Sequence, residues 1–95
     1  MATYAVIRVN GSTTDVATTR KGSALLREVC KEIGANTIDT VNLRDGRVML
    51  VDDTGMVDGK PRNEQATQLY WSVCKPGTIH PICGDVAIAM DEDFA

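Results

Sequence analysis

No apolar run in the chain approaches the roughly 20 residues that a membrane-spanning helix requires. The first residues also lack a basic segment followed by an apolar stretch, so neither a membrane nor a secreted location is expected. Cysteine is scarce: Cys30, Cys74 and Cys83 are three, an odd number that cannot all pair within the chain. A domain with an ordinary core has no need of a disulfide staple, so they read as reduced thiols in a cytosol. An excess of positive charge is missing too. Ten Lys and Arg stand against thirteen Asp and Glu, for a net charge of -3, which offers no electrostatic footprint for a phosphate backbone and argues against bulk nucleic-acid binding. Neither an internal repeat nor a low-complexity linker is present.

What is there is ordinary for a folded protein. Hydrophobic residues make up 43% and charged residues 24% of 95 residues, far from the composition that leaves chains disordered. That length supports one core and no second domain, since a domain of this size buries only about two-thirds of the surface of its extended chain.

Local signals divide the chain into seven elements. Residues 3–9 are rich in β-branched and aromatic types and run into Asn10-Gly11, a dipeptide that supplies the positive φ of a tight hairpin, so a second strand is expected at about 15–19. Ser23 is a possible helix cap; Leu25, Leu26, Val29 and Ile33 then recur on one helical face, and Gly34 supplies a stop. Residues 37–43 and 47–51 flank Asp45-Gly46, which predicts a hairpin with a two-residue type I′ turn. The uninterrupted run Val48-Met49-Leu50-Val51 suggests burial on both faces and a central place in the sheet.

A second helix is expected from Asn63 to about Cys74, with Ala66, Leu69, Tyr70 and Val73 on its stripe and Pro76-Gly77 closing it. Val86, Ile88 and Met90 alternate with small residues, as in a final strand with one covered face. Asp91-Glu92-Asp93 reads as a solvated, frayed acidic end. The expected fold is α+β: a mixed or antiparallel sheet of about five strands with two helices packed on one face.

Between Ile33 and Phe94 the chain carries Ile33-Gly34, Asp45-Gly46, Val51-Asp52-Asp53 with Gly55, Gly59 with Pro61 and Asn63, Ala66-Thr67, and Gly84-Asp85-Val86. On these features the chain resembles a family of small uncharacterised domains of unknown function found in bacteriophages, plasmids and other mobile elements. The resemblance implies an accessory protein acting inside a bacterial cell, with no established activity or catalytic residues to carry over. The chain departs from that pattern in its Thr-rich segment at 13–19 and between Cys74 and Cys83, where protein-specific function is expected to sit.

The most suggestive constellation is Gly59-Lys60-Pro61-Arg62-Asn63, which sets two cations ahead of a helix whose first N–H groups attract anions. Two or three charge-assisted hydrogen bonds supply about 3 to 9 kcal/mol before ordering costs, against the ~8.2 kcal/mol of a micromolar ligand. Trp71, about 140° from Ala66 around the helix and on the side of Thr67, is a candidate stacking platform. Lys60, Arg62, Asn63, Thr67 and Trp71 are thus the candidate ligand-binding set. The plainer alternative has Lys60 and Arg62 as solvated loop charges and Trp71 packed beneath the following loop.

Cys74, His80 and Cys83, with Cys30, are weak candidates for zinc, because the paired Cys knuckles of structural sites are missing. His80 with Cys83 makes no case for catalysis without an orienting third group. Asp52, Asp53 and Asp58 lack the ligand spacing of a calcium loop and read as turn formers. No cofactor is implied.

Two functions follow as expectations: a non-catalytic accessory protein, of a counter-defence kind, that sequesters a small anionic ligand or nucleotide; or an adaptor or inhibitor that binds a host protein through a sheet edge or Trp71. A homo-oligomer is compatible with either. An enzyme is disfavoured, since no acid–base pair, metal motif or phosphate-cradling loop is complete.

Overall fold

A computed structural model describes residues 2–43, 45–55, 58–73 and 80–94. The order is β1 (Ala2–Ile7), β2 (Thr13–Thr18), α1 (Gly22–Ile33), β3 (Ile38–Asn42), β4 (Arg47–Asp52), α2 (Glu64–Val73) and β5 (Val86–Met90), followed by a 3-10 turn over Asp91–Phe94. The strands form one sheet in the order β2-β1-β5-β4-β3, antiparallel at every pairing. The fold is α+β, two hairpins joined by the last strand between them. No helix among the described residues is long and apolar enough to cross a membrane.

Both hairpins use glycine in the left-handed region, though neither uses a two-residue turn. Arg8 N–H donates to the Ser12 carbonyl and Gly11 N–H to the Arg8 carbonyl, with Gly11 at φ 90. That pattern is a three-residue loop ending in a left-handed glycine. In the second hairpin Leu43 N–H donates to the Arg47 carbonyl, which leaves residues 44–46 between the paired positions, and Gly46 has φ 84. The expected type I′ turn at Asp45-Gly46 is therefore replaced by a connection one residue longer; Asp45 instead accepts bonds from the Arg47 backbone and guanidinium.

Strand alternation and register decide where the helices lie. On one face Tyr4, Val6, Val48, Leu50, Ala87 and Ala89 pack with Leu25, Val29 and Ile33 of α1. On the other face Ile7, Met49, Val51 and Val86 pack with Ala66 of α2, and Leu69, Tyr70 and Val73 join them. Neighbours in the same strand point to opposite faces, so Val48 and Met49 belong to different clusters. The helices cover opposite faces of the sheet, which corrects the expectation that both pack on one.

The Val48–Val51 run already contained this answer, because a strand buried on both sides needs cover on both. The final strand is corrected likewise: β5 is central, and its small residues Ala87 and Ala89 are buried. They let α1 approach closely.

The helix ends follow local chemistry. The N-cap of α1 is Lys21 in an extended conformation and not Ser23, which lies inside the helix. Gly34, at φ 69, donates to the Lys31 carbonyl and Ala35 to that of Cys30, the paired bonds of a Schellman ending. Leu25, Val29 and Ile33 are buried, each contributing about 1.5 to 3 kcal/mol of transfer free energy, whereas Leu26 is exposed. The acidic end expected to fray forms the 3-10 turn, and Phe94 packs against the α1 cluster.

Candidate functional site

The start of α2 is pinned before the helix begins. Gly84 N–H donates to the Pro61 carbonyl and Asn63 N–H to the Ile82 carbonyl, both at 2.8 Å, so 61–63 run antiparallel to 82–84 with Arg62 opposite Cys83. Asn63 is buried, and its Oδ1 accepts the Ala66 N–H at 3.1 Å. This is an N-cap bond to the third helical residue. Its Nδ2 donates to the carbonyls of Ile7 at 2.9 Å and Gly84 at 3.1 Å. Thr67, also buried, accepts the Ile82 N–H at 2.9 Å and lies 3.4 Å from the Ile82 carbonyl. These two candidate ligand residues therefore fasten α2 to the segment that leads into β5.

The cations ahead of the helix serve different partners. Lys60 Nζ bonds the buried carboxylate of Asp52 and the Gly34 carbonyl, the latter at 2.7 Å. Burial works against charge on Asp52, but the Lys60 bond and the Thr54 backbone N–H outweigh it and hold the carboxyl below its ordinary range. The Thr54 hydroxyl lies 3.2 Å from Asp52 Oδ1 and 2.9 Å from Asp58 Oδ2, so these acids shape the turn after β4. Arg62 pairs with Glu64 at 2.7 Å and sits 5.3 Å above the Trp71 ring centroid, within cation–π range. Trp71 Nε1 donates to the His80 carbonyl at 3.0 Å, which ties Trp71 to the chain at His80; residues 75–79 of the loop that the plainer sequence reading sets over it lie outside the described residues.

Lys60, Arg62, Asn63, Thr67 and Trp71 thus share one neighbourhood, in which Lys60 Nζ, Arg62 Nε, the Asn63 amide, the Thr67 hydroxyl and Trp71 Nε1 each meet a partner in the protein itself. Cys74 lies outside the described residues. Among the described residues no group of three His, Cys, Asp or Glu is placed to hold a metal ion; His80 is exposed and Cys83 and Cys30 are half-buried.

Sequence reasoning passed over a second feature, the edge strand β2. Arg8 N–H bonds the Ser12 carbonyl, and hydrogen-bonded pairs alternate along an antiparallel ladder. With Ile7 opposite Thr13 and Tyr4 opposite Val16, the backbone groups of Thr13, Asp15 and Ala17 point away from β1, on a side where β2 has no neighbouring strand among the described residues. All three residues are exposed.

The other edge carries a local cap at its middle residue. By the same alternation Thr40 points outward from β3, and its N–H is capped at 2.9 Å by Asp39 Oδ1. Beside β2, a cleft of about 500 Å³ is lined by Ile7, Thr13, Glu64, Gln65, Gln68 and Leu69. Its visible signal was the apolar-poor Thr13–Thr18 stretch; its position at an edge depends on long-range pairing. No family model matches the chain, and neither a curated protein nor a solved structure matches it.

Proposed function

We propose that the protein is a non-catalytic binding module that takes up an extended segment of another protein along β2. The carrying observation is the asymmetry of the edges: β3 caps its outward N–H at Thr40 with Asp39, while β2 presents outward backbone groups at Thr13, Asp15 and Ala17 beside a cleft. An unpaired edge is a template for strand addition, in which main-chain bonds supply affinity and side-chain pockets specificity. In the mobile-element setting implied by the family resemblance, the segment belongs to a host protein.

Sequestration of an anionic ligand at the start of α2 draws less support. Its first-turn amide at Ala66 is capped by Asn63, Lys60 is held by Asp52 and Arg62 by Glu64. Trp71 as the docking residue is also disfavoured, since its N–H and one ring face are engaged.

Proline tests the edge reading. Ala17→Pro removes an outward N–H and no bond to β1. Tagged protein expressed in the bacterial host should retain a stoichiometric protein partner that the folded Ala17→Pro variant loses and Trp71→Phe keeps. Retention by Ala17→Pro would overturn the assignment.

A further inference from the structure

The cleft beside β2 has a chemistry of its own, and on the reading that β2 accepts a strand it specifies what that strand carries. Thr13 and Asp15 lie two residues apart and so on the same face. This is the face of Ile7, because Ile7 pairs with Thr13 and Ala5 with Asp15, and it is the face covered by α2. A strand added to β2 sends every second side chain onto that face.

At Thr13 such a side chain meets the cleft, whose floor is the buried Ile7 and the half-buried Leu69 and whose wall is Gln65 and Gln68 of α2. At Asp15 it meets a carboxylate that no ion pair engages among the described residues. Among the described residues the one charged residue lining the cleft is Glu64, also acidic.

We infer that the open edge selects an antiparallel segment of the pattern basic-x-apolar, with the Lys or Arg opposite Asp15 and the apolar side chain two residues later in the cleft beside Thr13. The order follows from direction: antiparallel to β2, the residue opposite Asp15 precedes the one opposite Thr13. Antiparallel pairing is the mode of every strand pair in this sheet and the stronger one per residue. Oppositely charged side chains directly across a ladder stabilise it, and like charges destabilise it.

The test uses blocked eight-residue peptides titrated into the full chain and followed by amide chemical shifts. The probes share a Thr-rich background and carry Lys-x-Leu, Glu-x-Leu, Lys-x-Ser or the reversed Leu-x-Lys. Lys-x-Leu should bind at least fivefold tighter than each of the others, with shifts centred on 13–17 and on Gln65, Gln68 and Leu69. Asp15→Lys, an exposed change whose folding is checked by circular dichroism, should reverse the preference toward Glu-x-Leu. Gln65→Trp, which fills the cleft, should remove the advantage of Leu over Ser and keep that of Lys over Glu.

Equal binding of all four peptides, still lost in Ala17→Pro, would overturn this specificity and leave strand addition standing. Shifts away from β2, or no binding of any peptide, would overturn both.

Discussion

Asn63 reaches the carbonyl of Ile7 across 56 positions of sequence, with Nδ2 2.9 Å from the oxygen. One buried side chain thereby ties the end of β1, the turn at Gly84 and the first turn of α2 together.

Asn63→Ala strips the cap and leaves two carbonyls without that donor. A lost cap costs about 1 kcal/mol and each buried unsatisfied acceptor about 1 to 3, so the urea midpoint should fall by the equivalent of about 3 to 7 kcal/mol at unchanged m-value. Asn63→Asp keeps the capping oxygen but turns a carboxylate toward the same carbonyls, and it should be no better. An Asp variant as stable as the parent would show that the amide donors do not matter.

The Lys60–Asp52 pair predicts an acid limb to stability. Asp52 is almost wholly buried, with its side chain 1% exposed, and its carboxyl titrates below the 3.8 of an unperturbed Asp. Because the folded value lies under the unfolded one, the contribution is complete well above pH 3.8 and disappears as pH falls below it toward the folded value. Lys60→Met leaves that carboxylate without its cation and should cost about 3 kcal/mol at neutral pH. Chemical denaturation from pH 7 to pH 2 should show the gap between parent and Lys60→Met narrowing in acid; a constant gap would refute the linkage.

The elements themselves were legible because their signals are local: β-branched runs, a helical stripe at Leu25, Val29 and Ile33, glycine at the ends and turns. The antiparallel five-stranded sheet agrees with the expected α+β class. Less legible were relations between elements. The turn at Asp45-Gly46 gained a residue because the register is fixed by the pairing of Leu43 with Arg47. The helices fell on opposite faces because Val48 and Met49 both needed cover.

At the start of α2 the residue types were visible and their partners were not. Asp52, Gly34, Glu64 and His80 lie at varied sequence distances from the side chains they engage. Asp52, Gly55, Pro61, Asn63 and Gly84 meet in this one knot, bonded to one another or to shared neighbours.

Gly55 illustrates why a residue of that knot resists change. A Cβ there would stand 2.6 Å from the Cys83 carbonyl oxygen, backbone against backbone. Gly59 has open space around it but φ +75, which costs an L-residue about 1 to 2 kcal/mol. Gly55→Ala should therefore be the worse change, at the upper end of the roughly 1 to 3 kcal/mol of overpacking, and should displace the 82–84 amide resonances. Gly59→Ala should leave those resonances in place. Equal stability losses with no shift at 82–84 would contradict the contact.

Ala87 gives the sharpest test of helices on both faces. It is fully buried and packs in the α1 cluster, while its neighbour Ile88 belongs to the opposite, α2-side face and is half-exposed. Had both helices shared the α2 face, Ala87 would point to solvent and Ala87→Leu would change stability by under about 0.5 kcal/mol, as surface substitutions do. With α1 seated on it, the added side chain must push the helix away or adopt a strained rotamer, at about 1 to 3 kcal/mol or more. Ile88→Leu, which conserves volume, should cost less than about 1.5 kcal/mol. Thermal melts of the two variants separate the architectures: an unaffected Ala87→Leu protein would mean that α1 does not cover this face, and a clear loss confined to Ala87→Leu is the outcome that the register requires.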